Sequence, residues 1–449
     1  MGRLFGTDGA RGIANTELTC ETAMNIGRAV AMELTNSEDP HPTVLIGKDT
    51  RISSDMLEAS IAAGLCSAGA NVIQLGVVPT PAVAYLITKY NADAGVMISA
   101  SHNPCAFNGI KVFSGDGYKL PDELEEQIEA IVLDNVVPYP KPTGGQVGTI
   151  RFAENAHRDY IDHVKETVAY PLDGLRVAFD CANGSASATA KTLFSELGAQ
   201  CFMLHDTPNG ININENCGST HMEDLQKFVV ENGLDAGIAF DGDADRCLAV
   251  DEKGNLIDGD FVMAICAADL KSTGRLAKDT VVGTVMSNLG FIRFCEENHM
   301  RFASTKVGDR YVLEKMRLEG YNLGGEQSGH VIFLDYCTTG DGQLTGAQLL
   351  SIISRRQAKL SSIATLMEKY PQVLVNVKVS ADGKLRFHTN HVIKKAIQAA
   401  EGELGKTGRV LVRPSGTEPL LRVMAEGEDL EQITALCNRI ADVIRQQLS

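Results

Sequence analysis

Short apolar runs rich in β-branched residues alternate with longer amphipathic stretches through most of the chain. Val44, Leu45 and Ile46 form the first such run, an amphipathic stretch covers 56–68, and further apolar runs follow at 72–75 and 96–98. Strands spaced by helices predict a parallel sheet covered on both faces. Pro121 then opens a segment to residue 132 in which acidic residues follow the proline and Leu124, Ile128 and Ile131 recur on one face. That pattern predicts a helix closing the first unit. The alternation restarts with a strand at 176–179, a helix over 186–197 and a strand at 236–240, and a third round places strands at 281–285, 302–305 and 331–333. After Tyr370-Pro371 the order changes to a strand at 373–379, a helix over 392–404, strands at 410–412 and 421–425, and a helix from Leu430. Three related α/β units and a small C-terminal α+β domain are expected, over 1–152, 153–257, 258–369 and 370–449.

The 449 residues are 44% hydrophobic and 22% charged, the mix of a folded globular chain. Its 41 basic against 57 acidic side chains leave a net charge of −16. Such a surface repels polyanions, so nucleic acid is not an expected partner. Small anionic ligands remain open wherever a few basic groups converge. The 11 cysteines contain no CxxC pair, which speaks against zinc ribbons and disulfide scaffolds. No stretch approaches the roughly 18 apolar residues of a membrane span, and Gly6 stands where a myristoylation signal wants Ser or Thr. The expectation is a cytoplasmic protein with no membrane partner.

Four loops carry candidate chemistry. Asp241, Asp243 and Asp245 alternate directly behind the apolar run ending at Phe240, followed by Arg246. Such crowded carboxylates call for a hard divalent cation with oxygen ligands, the plain alternative being a solvated acidic turn. An EF-hand loop would find its last acid at Glu252, but Arg246 occupies the position of its turn glycine. Ser99-Ala100-Ser101-His102-Asn103-Pro104 follows another apolar strand, at the end where α/β sheets gather ligands. Neighbouring Ser and His side chains are expected to point apart, and no GxSxG elbow is present, which disfavours a hydrolase pair. Lys111 lies shortly beyond. Gly324-Gly325-Glu326-Gln327-Ser328-Gly329-His330 is a polar loop or hairpin turn offering hydrogen bonds to hydroxyls or an amine. Arg413-Pro414-Ser415-Gly416-Thr417-Glu418-Pro419, with Arg422, reads as a phosphate cradle or a proline-bracketed turn. Gly405-Lys406-Thr407 is not a P-loop, because Ala400 stands at the first glycine position.

Taken in chain order, one per expected domain, the four loops resemble those of the α-D-phosphohexomutase family over essentially the whole chain. Phe5-Gly6-Thr7-Asp8-Gly9-Ala10-Arg11-Gly12, Ser287-Asn288-Leu289-Gly290, Val307-Gly308-Asp309-Arg310-Tyr311 and the Gln327 before Ser328 resemble the branch acting on glucosamine phosphates. The resemblance implies three α/β/α sandwich domains and a C-terminal α+β domain around a central cleft. It implies interconversion of glucosamine 6-phosphate and glucosamine 1-phosphate through a phosphoserine and a 1,6-bisphosphate, supplying UDP-N-acetylglucosamine synthesis. Ser101 matches the phosphoserine, and Ser101, Asp241, Asp243 and Asp245 match the ligands of one Mg²⁺ per chain. His102, Lys111, Arg11 and Arg246 would surround the moving phosphoryl group, with His330 as proton acceptor. Glu326 and Ser328 would meet sugar hydroxyls, while Arg413, Ser415, Gly416, Thr417 and Arg422 hold the phosphate that is not reacting. Cys105 departs from the aromatic residue common at that point. Mutases of glucose or mannose phosphates and a non-catalytic sugar-phosphate binder of the same fold are the alternatives, and homodimerisation is left open.

Overall fold

A computed structural model describes residues 3–6, 8–34, 41–134, 137–415 and 419–448, the side chain of Ala381 excepted. The chain divides into two compact units, residues 1–286 with 300–365, and residues 287–299 with 366–449.

Three sheets make up the first unit. The first has seven strands in the order Phe5–Gly6, Gly9–Ile13, Phe107–Ser114, Ala94–Ile98, Thr43–Lys48, Asn71–Val77 and Ile150–Phe152. It is mixed, which corrects the expectation of a parallel sheet. Thr43–Lys48 runs parallel to its neighbours Ala94–Ile98 and Asn71–Val77, but Phe107–Ser114 is antiparallel to both of its own. The loop 99–106 is the reason, being shorter than the crossover of about a dozen residues that a parallel neighbour needs. Helices Cys20–Leu34 and Ile52–Ser67 pack together on this sheet, with Ile26, Leu57 and Ile61 joining Val44, Ile46, Val96 and Ile98 in its core. A Cβ on Gly64 would lie 2.1 Å from the Met24 carbonyl oxygen, so glycine sets how closely the two helices approach.

The second sheet orders its strands Leu256–Ile257, Cys247–Asp251, Ala236–Phe240, Arg176–Asp180 and Gln200–Leu204. Ala236–Phe240 is parallel to Arg176–Asp180 and forms an antiparallel hairpin with Cys247–Asp251. The helix expected over 186–197 is broken at Thr189, where φ is −130°, into a 3₁₀ turn Ser185–Ala188 and a helix Ala190–Glu196. The third sheet runs Arg301–Thr305, Thr280–Thr284, Leu323–Gly325 and Val331–Phe333, the last two being an antiparallel hairpin. Asp341 caps helix Gly342–Arg356, its carboxylate accepting from Leu344 N at 2.9 Å.

The second unit centres Leu420–Gly427 between Gln372–Lys378 and Gly408–Pro414, antiparallel to both. Helices His391–Leu404 and Leu430–Leu448 bury Ile393, Ile433, Ile440 and Ile444 against Leu421 and Val423. Helix Leu289–Glu297 also belongs to this unit, and helix Ala381–Phe387, which the hydrophobic pattern does not mark, is capped by the Ser380 hydroxyl. All eleven cysteines are free, and no helix among the described residues is long and apolar enough to cross a membrane.

Candidate active site

Ala94–Ile98 and Ala236–Phe240 are buried along their whole length, so the first polar side chains either strand releases appear together beyond its carboxyl end. Ser101 has a left-handed backbone, with φ of +50°. Its Oγ donates to Asp241 Oδ2 at 2.7 Å and lies 3.2 Å from His102 Nδ1. The expectation that Ser101 and His102 point apart is overturned here, because the left-handed turn brings successive side chains to one side.

The acidic loop surrounds that hydroxyl. Asp241 Oδ1 accepts from Arg246 N at 3.2 Å, and Asp243 Oδ2 accepts from Thr80 Oγ1 at 2.6 Å and Lys111 Nζ at 2.8 Å. Asp245 Oδ2 is 3.6 Å from Lys111 Nζ and 3.6 Å from His330 Nδ1. All three carboxylates are buried, and one oxygen from each lies within 4.8 Å of the others. Oδ1 of Asp243 and Oδ1 of Asp245 have no hydrogen-bond partner. Burial, then Asp245 and Asp243, hold Asp241 well above the usual carboxylate range. Orphaned buried oxygens and mutual repulsion are relieved together by a hard divalent cation, which three oxygen donors suit. The flanking strands form a hairpin, unlike the paired helices of an EF-hand, and Glu252 instead accepts from Ser361 N at 3.1 Å.

Cations thread the same cluster. Burial works against the Lys111 ammonium, but Asp243, Asp8 and Asp245 outweigh it and raise its pKa, so Lys111 stays charged. Asp8 pairs with Arg11 and with Lys111 at 3.1 Å, and Lys119 bridges Asp8 to Asp309. Arg11 Nη1 reaches Asn103 Oδ1 at 3.4 Å, and Arg246 Nε stands 4.0 Å from Asp241 and 3.9 Å from Asp245. Burial, with Arg246 and Arg11, pushes His102 down to about 4, so it supplies hydrogen bonds rather than charge near neutral pH. For His330 burial is outweighed by Asp245 and Asp309, which raise its affinity for a proton. Its Nε2 accepts from Gly340 N at 3.1 Å. A cavity of about 840 Å³ opens beside His330, Lys119 and Asp309.

The hairpin turn between Leu323–Gly325 and Val331–Phe333 is tied to this cluster through Cys247 N, which donates to Gly329 O at 2.9 Å. Glu326 is half-buried and accepts from Gly308 N at 2.9 Å, while Ser328 is exposed. In the second unit Arg413 and Arg422 are cross-strand partners, and Ser415 is buried with its carbonyl accepting from Lys384 Nζ at 2.6 Å. Gly416 and Thr417 lie outside the described residues.

Four family models match in succession: phosphoglucomutase/phosphomannomutase alpha/beta/alpha domains I, II and III over residues 2–136, 158–254 and 258–370, and the C-terminal domain over 374–443. The chain is 55% identical over 447 residues to phosphoglucosamine mutase of Clostridium acetobutylicum, all of both chains being covered. This chain belongs to the phosphoglucosamine mutase family. Phosphoglucosamine mutase of Acetivibrio thermocellus is 54% identical over 448 residues, again covering both chains entirely. A crystal structure of a phosphoglucomutase/phosphomannomutase family protein from Burkholderia thailandensis shares the fold, with a TM-score of 0.83 at 22% identity over 99% of this chain and 98% of that one.

Several groups in this member of the phosphoglucosamine mutase family escaped the reading of its loops. Asp8, Lys119 and Asp309 bridge the cations to the hairpin, and Thr80 and Asn214 bond to Asp243 and to the serine loop. Asp8 precedes Gly9 and Asp309 follows Gly308, each within a glycine-containing motif of the sequence. Asp49 and Arg51 follow strand Thr43–Lys48 at its carboxyl end, and the rule that pointed to Ser101 there points to them as well.

Proposed function

We propose that the chain interconverts glucosamine 6-phosphate and glucosamine 1-phosphate by passing a phosphoryl group through Ser101, as a cytoplasmic step toward UDP-N-acetylglucosamine. The observation that carries this reading is the Ser101 hydroxyl at 2.7 Å from Asp241, on the edge of three clustered carboxylates with Lys111 salt-bridged among them, in a chain of this family. Asp241, Asp243, Asp245 and an oxygen on Ser101 would hold one Mg²⁺, which when bound offsets the negative charge that develops on a transferring phosphoryl group.

Phospho-Ser101 gives its phosphoryl group to the free hydroxyl of the sugar monophosphate. The bond from phosphorus to Ser101 Oγ breaks as the bond to the sugar oxygen forms, and the hydroxyl proton passes to His330, whose nearby carboxylates favour its taking one. Nε2 exchanges its bond from Gly340 for this proton. Ser101 Oγ is left as an oxyanion facing the surrounding positive charge, the 1,6-bisphosphate turns over, Ser101 Oγ takes the other phosphoryl group, and His330 gives its proton to the sugar oxygen thereby released. Lys111, Arg11 and Arg246 face the moving group with fixed positive charge, and His102 donates a hydrogen bond. Glu326 and Ser328 meet the sugar hydroxyls in both orientations.

Arg413, Ser415, Gly416, Thr417 and Arg422 hold the phosphate that is not reacting. Two guanidiniums directly opposite on adjacent strands repel each other, a placement that favours a bound dianion. These roles divide among the regions 1–152, 153–257, 258–369 and 370–449.

The test is conversion of glucosamine 6-phosphate with Mg²⁺ and catalytic 1,6-bisphosphate, paired with intact-mass analysis. One phosphate on the protein, absent from Ser101→Ala together with turnover, is expected. Undiminished turnover by Ser101→Ala would overturn the mechanism, and turnover confined to glucose or mannose phosphates would overturn the substrate.

A further inference from the structure

We infer that Arg51 is a positioning residue, holding Ser101 in the backbone conformation from which its oxygen faces Asp241. The inference rests on Ser101 being the phosphoryl carrier. The side chains of Arg51 and Asp49 are both completely buried, with Arg51 Nε 2.8 Å from Asp49 Oδ2. Every other hydrogen bond of that guanidinium goes to a backbone carbonyl of the serine loop: Nη1 to Pro104 O at 2.6 Å, Nη2 to Asn103 O at 2.8 Å and to Ser101 O at 3.0 Å. Asp49 completes the hold from the amide side. Its Oδ2 accepts from Ser99 Oγ at 2.6 Å, and Ser99 Oγ accepts from Ser101 N at 2.9 Å. Both backbone polar groups of Ser101 therefore end on this ion pair.

A serine with φ of +50° is uncommon and persists only where its surroundings over-determine it. A buried ion pair adds little stability over apolar packing, so a geometric role accounts for its presence better than an energetic one. The planar fork of Arg reaches three carbonyls at once, which the single ammonium of Lys cannot do. From the opposite side Asn214 Nδ2 donates to the same carbonyls, Ser101 O at 2.9 Å and Asn103 O at 3.0 Å. The residues flanking Arg51 are anchored there too, Thr50 Oγ1 to Asn183 O at 2.6 Å and Ile52 N to Gly210 O at 2.8 Å. The loop is clamped between the first and second sheets.

Full-length Arg51→Lys and Asn214→Ala decide the matter, each measured for kcat and KM on glucosamine 6-phosphate and for amide hydrogen exchange by mass spectrometry. A displacement near 1 Å at a reacting atom costs on the order of 100-fold in rate. We expect Arg51→Lys to lose about that much kcat with KM within about threefold, Asn214→Ala to lose about tenfold, and amides of 99–108 alone to exchange faster. Unchanged exchange in 99–108, or faster exchange throughout the first unit, overturns the inference. So does loss of kcat and KM together. The exchange measurement needs no substrate, so a wild-type protein without mutase activity would sink the functional reading separately. Should Arg51→Lys not fold, Ser99→Ala, which cuts the link from Asp49 to Ser101 N, carries the test, with faster exchange confined to 99–108 expected and unchanged exchange there overturning the inference.

Discussion

Asp241 is held against the preference of its own charge. Burial and the neighbouring Asp245 and Asp243 all favour its neutral form, while its oxygens accept from Arg246 N and the Ser101 hydroxyl. Asp241→Asn keeps an acceptor for Arg246 and an amide for Ser101 while removing the repulsion. In chelator it should be more stable than wild type, and millimolar Mg²⁺ should raise the Tm of wild type but not that of the variant. Thermal melts with and without Mg²⁺ check both halves. Asp341 offers a cleaner titration. Burial pushes its carboxyl up to about 6, above the roughly 3.9 of an unfolded chain, although Leu344 N and the Tyr160 hydroxyl both donate to it. Because the folded state binds the proton more tightly, this group's contribution is fullest below about pH 4 and is lost as pH rises to about 6. Asp341→Asn cannot titrate. Wild-type stability relative to it should fall by roughly 2–3 kcal/mol between pH 4 and pH 7 in denaturant titrations, and a flat difference would refute the assignment. The three alternating aspartates were visible in sequence because spacing alone crowds them, whereas the neutrality of His102 depends first on burial and then on Arg246 and Arg11, all of which distant segments deliver.

At the scale of elements, chemistry collects where buried strands end. The apolar strands, helices Asp122–Asp134, His391–Leu404 and Leu430–Leu448, and the hairpin carrying Glu326 follow from periodicity and glycine placement, since both reflect local backbone geometry, whereas helices Cys20–Leu34, Gly259–Ser272 and Gly342–Arg356 were not marked by it. The mixed order of the first sheet does not, because pairing direction depends on what a short loop can span. The acidic loop also meets the serine loop through a position without a side chain: a Cβ on Gly242 would lie 2.5 Å from Ser101 O and 2.8 Å from Asn214 Nδ2. Gly242→Ala should therefore push the two loops apart. We expect a loss in kcat of at least about tenfold and a stability loss of roughly 1–3 kcal/mol, as overpacking usually brings. Steady-state kinetics beside a denaturant curve would show it, and wild-type values for both would mean the loops yield without consequence.

Over the whole molecule, each compact unit has its own hydrophobic core, that of the second including Ile440, Leu421 and Val423. Calorimetry should resolve two unfolding transitions. Ile440→Ala should lower one of them by a loss of about 2–5 kcal/mol and leave the other in place, whereas a single transition moving as a whole would show the units to be thermodynamically one. The amino-acid sequence by itself determined the succession of α/β regions and the polar loops at its strand and hairpin ends, because periodicity and spacing are properties of neighbouring residues along a chain. Tertiary structure alone decided that Ser101 Oγ meets Asp241, that Lys111 keeps its proton, that His102 loses its own, and that Arg51 carries the serine loop. Those outcomes depend on burial and on distances between segments far apart in sequence, where removal from water makes each charge and hydrogen bond answer to its nearest neighbours.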